Sequence, residues 1–203
     1  MMRAEERMSR LIRRMEVPIV AAFFIAGAAF LLKMAYMSLF RGTLYGTLYL
    51  LAFYVYVRAR YWIKIPPILM LLVLGAIEVD VLGNHFRMYG RQFGPIQYDE
   101  FAHVAVQALT APIIVWLLRE WIVRSGYRLP LGLITFFAIT SIFSLSAFYE
   151  IIELWDELYF QGQRIWSPHD APNDLQWDLI GIIIGAVLSY AILKRSAIQF
   201  HAK

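Results

Sequence analysis

Six apolar stretches, each near the length of a bilayer crossing, take up most of this chain, and they limit its fold more than any other feature. A hydrocarbon core about 30 Å thick needs roughly 20 residues of helix. The stretches run over about Val17–Phe40, Leu44–Trp62, Pro66–Val81 (extending toward His85), Asp99–Val123, Leu129–Trp155 and Leu175–Leu193. Backbone polar groups in lipid must be satisfied within the chain, so apolar runs of this length are expected to be helices. The predicted fold class is therefore all-α, a polytopic transmembrane bundle of about six membrane-spanning helices. Hydrophobic residues make up 60% of the 203 positions, too many for a chain that must cover its own surface with polar groups. Cysteine is absent, which excludes disulfides, thiolate metal sites and thiol catalysis.

Charge sets the expected orientation. Arg3, Arg7, Arg10, Arg13 and Arg14 precede the first span. Arg58, Arg60 and Lys64 separate spans two and three, Arg119, Arg124 and Arg128 separate spans four and five, and Lys194, Arg195 and Lys203 follow span six. Only Lys33, Arg41, Arg87, Arg91 and Arg164 fall on the other side, so both termini are expected in the cytoplasm of a cell-membrane (inner-membrane) protein. Residues 1–16 read as a basic cytoplasmic segment, 17–195 as the transmembrane domain and 196–203 as a cytoplasmic tail. The first apolar run is too long for a signal-peptide core and lacks a clear small-residue cleavage site, so it is expected to be retained. The net charge of +4 is spread over short loops, which is a topology signal and excludes nucleic acid as the partner. Membrane lipids are the expected surroundings.

The acids gather at the opposite end. Glu78, Asp80, Asp99, Glu100, Glu150, Glu153, Asp156, Glu157, Asp170, Asp174 and Asp178 all lie toward the non-cytoplasmic side. Acids contribute little to topology, so this bias needs another cause. Within "YDEFAHVAVQ", Asp99, His103 and Gln107 share a helix face, and Asp99 is placed to cap that helix. Within "FYEIIELWDELYF", Glu150, Glu153 and Glu157 share a face while Asp156 points elsewhere. Asp174, Asp178, Gly181 and Gly185 form one stripe, whose glycines make a GxxxG face for close helix contact. Glu78 and His85 can share a face of span three. Glu100, Glu157 and Asp170 read as caps or solvated interfacial groups, and Trp155, Tyr159, Trp166 and Trp177 as an interface belt.

Charged groups in or near hydrocarbon are expensive and usually face a bundle interior or a wet cavity. Asp99, His103, Glu150, Glu153, Asp174 and Asp178 are therefore expected to converge. Carboxylates with an imidazole suit a divalent cation such as Mg²⁺, Mn²⁺ or Zn²⁺, and equally suit proton transfer. Arg91 and Arg164, with Gln107, are candidates for holding an anionic group such as phosphate. As an enzyme, the chain would carry out metal-assisted hydrolysis or transfer on a lipid-linked or amphiphilic phosphate substrate, with Asp99, His103, Glu150, Glu153 and Asp178 as catalytic candidates. The alternatives are a transporter or permease and a structural or regulatory membrane partner. The lack of a visible inverted repeat weighs against the transporter.

The blocks "QYDEFAHVAVQ", "FYEIIELWDE" and "NDLQWDLIGIIIGAVLSY" resemble the signature blocks of the YjdF-like inner-membrane proteins, a family catalogued as a domain of unknown function. The blocks occur in the right order with the right spans between them. A more distant similarity is to the VanZ-like membrane proteins, whose pattern would fall on Asp99, His103, Glu150 or Glu153, Arg164, Asp174, Asp178 and Gly181. Asp178 stands where that pattern has Asn. The resemblance implies a shared polar site without an established reaction.

Overall fold

Six helices and a hairpin of two two-residue strands make up the computed structural model, which describes residues 16–34, 36–162, 165 and 167–201. In chain order they are α1 (Glu16–Met34), α2 (Leu39–Tyr61), α3 (Pro67–His85), β1 (Gln92–Phe93), β2 (Ile96–Gln97), α4 (Tyr98–Arg124), α5 (Leu131–Phe160) and α6 (Asp170–His201). The all-α reading holds. The basic segment before residue 16, Arg164, Trp166 and residues 202–203 lie outside the described residues.

Local chemistry sets the helix ends. The first span does not reach Phe40. It stops at Met34, and Ser38 begins α2 by accepting the Arg41 amide on its hydroxyl. Pro66 and Pro130 precede α3 and α5, where a missing amide hydrogen does no harm. Trp62 and Gln161 close α2 and α5 in the left-handed region, at φ 57° and 59°. The last helix starts at Asp170, several residues before the expected Leu175, so Asp174 lies a full turn inside it.

Five of the helices are long and apolar enough to cross a membrane. The exception is α2, whose 23 residues are diluted by Thr43, Tyr45, Thr47, Tyr49, Tyr54 and Tyr56. Large apolar side chains cover the outside, among them Phe24, Leu48, Phe136, Val187 and Leu188. In water such a surface would aggregate, whereas in lipid it is the solvated face.

Helix α4 is the hub. It packs on α3, α5 and, most extensively, α6. Two layers fill the junction of α4, α5 and α6: Ala111 with Ile142 and Ile182, then Val115 with Ala138 and Ala186. A Cβ at Gly181 or Gly185 would run into the backbone carbonyl of Val104 or Ala108, so the expected glycine face is the one that lets α6 approach α4. At the basic end, Val57, Ile63, Ile65 and Ile113 form a separate cluster.

The connection after α3 folds back over the acidic end. Its strands pair antiparallel, Gln92 with Gln97 and Phe93 with Ile96, around a turn at Gly94. Tyr89, Phe93, Tyr98 and Phe101 stack against one another, and the Tyr98 hydroxyl donates to the Val79 carbonyl at 2.7 Å.

Candidate functional site

The N-terminal halves of α4 and α6 meet side by side because Gly181 and Gly185 let the two helices approach closely. That contact brings three carboxylates around one imidazole. Asp178 Oδ1 lies 2.9 Å from His103 Nδ1. On the other edge of the ring, Nε2 faces Asp174 Oδ1 at 3.6 Å and Asp99 Oδ1 at 3.7 Å. Asp174 and Asp178 are buried, with relative exposures of 4% and 3%. Asp174 Oδ1 has no hydrogen-bond partner.

In the neutral tautomer whose Nδ1–H donates to Asp178, Nε2 presents its lone pair to two carboxylate oxygens; in the imidazolium form an Nε2–H faces them instead. In the neutral form these facing acceptors repel unless a proton or a cation lies between them. One ligand atom from each of Asp99, His103 and Asp174 lies within 4.8 Å of the others, a set of two oxygens and one nitrogen that a divalent cation can bridge. A carboxylate on the far ring nitrogen is the usual device for orienting a metal-binding histidine.

A cavity of about 490 Å³ opens beside this cluster. Asp80 and Asn84 of α3, Asp99, His103 and Gln107 of α4, Glu153 of α5, and Asp170, Asp174 and Asp178 of α6 line its polar part. Gln107 donates to the Ser146 hydroxyl at 2.8 Å, linking α4 to α5 across the cavity. Tyr89, on the loop above, lines the cavity and donates a hydrogen bond to Asp80. Burial, followed by the Asp80 charge, pushes the Tyr89 phenol well above its ordinary pKa, so it stays protonated.

Of the expected residues, Asp99, His103, Glu153, Asp174, Asp178 and Gln107 come together here. Glu150 is buried at 8% exposure with Oε1 unpartnered, within electrostatic reach of Glu153, Asp174, His103 and Asp178, although it does not line the cavity. Arg91 is exposed on the hairpin connection and does not line the cavity. Arg164 lies outside the described residues.

Several local readings need correction. Asp99 does not cap α4. Gln97 is the N-cap residue, and its backbone amide donates to Glu100 Oε2 at 2.9 Å. Asp99 is thus left to the cavity, while Glu100 does local structural work. Glu78 turns away toward α2 and accepts from Thr43 at 3.0 Å, and His85 is exposed with its ring edge-on to Phe86. The acid that α3 supplies is Asp80, two residues on. Asp170 lines the cavity instead of standing in solvent, and Glu157 accepts the Ile165 amide at 3.2 Å, fastening the loop before α6. Asn84, Tyr89, Ser146 and Tyr149 were not legible as cavity residues. The one usable signal was Ser146, which lies four residues before Glu150 on α5.

A family model described as a predicted membrane protein, DUF2238, matches residues 15–197, and the YjdF-like resemblance points to the same family. No curated protein and no solved structure matches the chain.

Proposed function

The chain belongs to this family of membrane proteins, and on that footing we propose that its acidic end is a divalent-cation site used for chemistry on the headgroup of an amphiphile. One observation carries the reading. Nε2 of His103 faces oxygens of Asp99 and Asp174 at 3.7 and 3.6 Å while Nδ1 lies 2.9 Å from Asp178, so with the ring neutral and its proton on Nδ1 all three facing atoms are acceptors. A cation among them relieves that repulsion and gives the orphaned Asp174 oxygen a partner. When bound, it supplies a Lewis acid for hydrolysis or transfer at a phosphoryl or carbonyl centre. Glu153 lines the cavity and is placed to take a proton from an attacking water, with the buried Glu150 one turn behind it on the same helix. Both termini in the cytoplasm would place the cavity on the outer side.

The permease alternative requires a polar path across both leaflets. Among the described residues, the polar lining gives way to Val106, Ile114 and Ile142, and the fully buried layer of Val115, Ala138 and Ala186 lies beyond. That sequence of layers favours a one-sided site.

Equilibrium dialysis of the purified protein against Mn²⁺, with metal analysis, tests the reading. Stoichiometric binding is expected. It should be lost in His103→Ala and weakened about 10–100-fold in Asp178→Asn, as for loss of an orienting partner. A wild-type protein that retains no Mn²⁺, Mg²⁺ or Zn²⁺ would defeat it.

A further inference from the structure

The cavity is longer than a cation site needs, and its character changes along its length. On α4 the lining runs as one stripe through Asp99, His103, Val106, Thr110 and Ile114. Fifteen residues of helix separate its ends, about 22 Å at 1.5 Å per residue. On α5 the stripe through Glu153, Tyr149, Ser146, Leu145 and Ile142 changes in the same direction. Both helices are acidic or polar at one end and apolar at the other, with the Gln107–Ser146 hydrogen bond at the boundary. A small hydrated solute gains nothing from the apolar limb, and a bare alkyl chain gains nothing from Asp174 and Asp178.

We propose that the apolar limb bounded by Val106, Thr110, Ile114, Ile142 and Leu145 holds the alkyl tail of a single-tailed amphiphile, with its head at the His103 cluster. The choice of a phosphate head rests on the cation-site reading, since phosphate among so many carboxylates needs a bridging cation. The single tail follows from size. The volume of about 490 Å³ falls in the range of a drug-sized ligand and leaves room for one chain beyond the head. From Val106 to Ile114 the limb extends about 12 Å, the reach of a medium-length chain.

The test uses the full chain in lipid nanodiscs and a dodecyl phosphate carrying a diazirine at its methyl end. After photolysis, labelled peptides are mapped with and without Mn²⁺, and Mn²⁺ binding is measured in parallel. Label on the limb residues of α4 and α5, competed by unlabelled dodecyl phosphate but not by inorganic phosphate, is the expected result. Val106→Trp should abolish that label while retaining Mn²⁺. Leu145→Trp serves the same purpose should the first variant fail to fold. Limb labelling without any Mn²⁺ binding would uphold the tail and remove the cation reading. Mn²⁺ binding with label confined to lipid-facing residues such as Phe136 and Val187, unchanged by either tryptophan, would overturn the tail and leave the cation site standing.

Discussion

The seam between α4 and α6 and the attachment of α1 solve the same problem in opposite ways. At the seam, Gly181, Gly185, Ala111 and Ala186 let two backbones nearly touch, and the carboxylates of α6 arrive beside His103 as a result. None of the described residues of α1 is buried. It is held by larger, adjustable groups: the Phe23 ring against Tyr49, Phe53 and Tyr56, and Glu16 accepting from Arg60 and Tyr61 at 2.8 Å each. Lipid offers no hydrophobic drive between helices, so association relies on close packing or on polar contacts. The seam uses the first and α1 the second. Precision at a site is expected to depend on the first, because small residues against backbone allow little adjustment.

The largest expected effect tests that contrast with the same substitution in both places. Gly181→Ala places a methyl against the Val104 carbonyl, and a loss of about 1–3 kcal/mol is expected in a denaturant titration in micelles. Gly27→Ala meets only the end of the Tyr49 side chain and should stay within about 1 kcal/mol of the parent. Equal losses at the two positions would break the comparison.

Next in size is the transmission of seam geometry to the site. Gly185→Ala touches no candidate ligand, yet it should weaken Mn²⁺ binding, because α6 carries Asp174 and Asp178. Unchanged affinity in a folded variant would separate packing from the site.

Within α5 the acids should differ. Glu150→Gln or Glu153→Gln is expected to abolish metal binding or any activity found, while Asp156→Asn and Glu157→Gln remain close to wild type. The amides preserve shape, so a loss in the first pair reports on charge. Four unaffected variants would reduce the α5 cluster to a helix end.

The smallest effect is expected at α1. Glu16→Gln leaves acceptor capacity for Tyr61 and removes a partly exposed ion pair, so thermal melts should show a change under about 1 kcal/mol, with Mn²⁺ binding unchanged. A large loss of binding would make α1 part of the site and not a wall beside it.

Much of the fold was legible because membrane helices announce themselves by length and composition. All six apolar stretches became helices, and the stripe of Asp174, Asp178, Gly181 and Gly185 packs as one face. The Asp99–His103–Gln107 face was also legible, since residues four apart must stack whatever surrounds them. Less could be read where one helix offers two acids. Glu78 and Asp80 are two residues apart, which separates them by about 200° around α3. No local rule chooses between them.

By itself, then, the sequence determined that the chain is a helical membrane bundle, that its acids gather at one end, and which residues share a face. Tertiary structure alone decided which face turns inward: Asp80 toward the cavity and Glu78 toward Thr43, Asp170 inside the cavity and Arg91 outside it. The reason is rotational. Periodicity defines a stripe on a helix but not its azimuth in the bundle, and the azimuth of α6 is set by where glycines let it meet the Val104 and Ala108 carbonyls of α4.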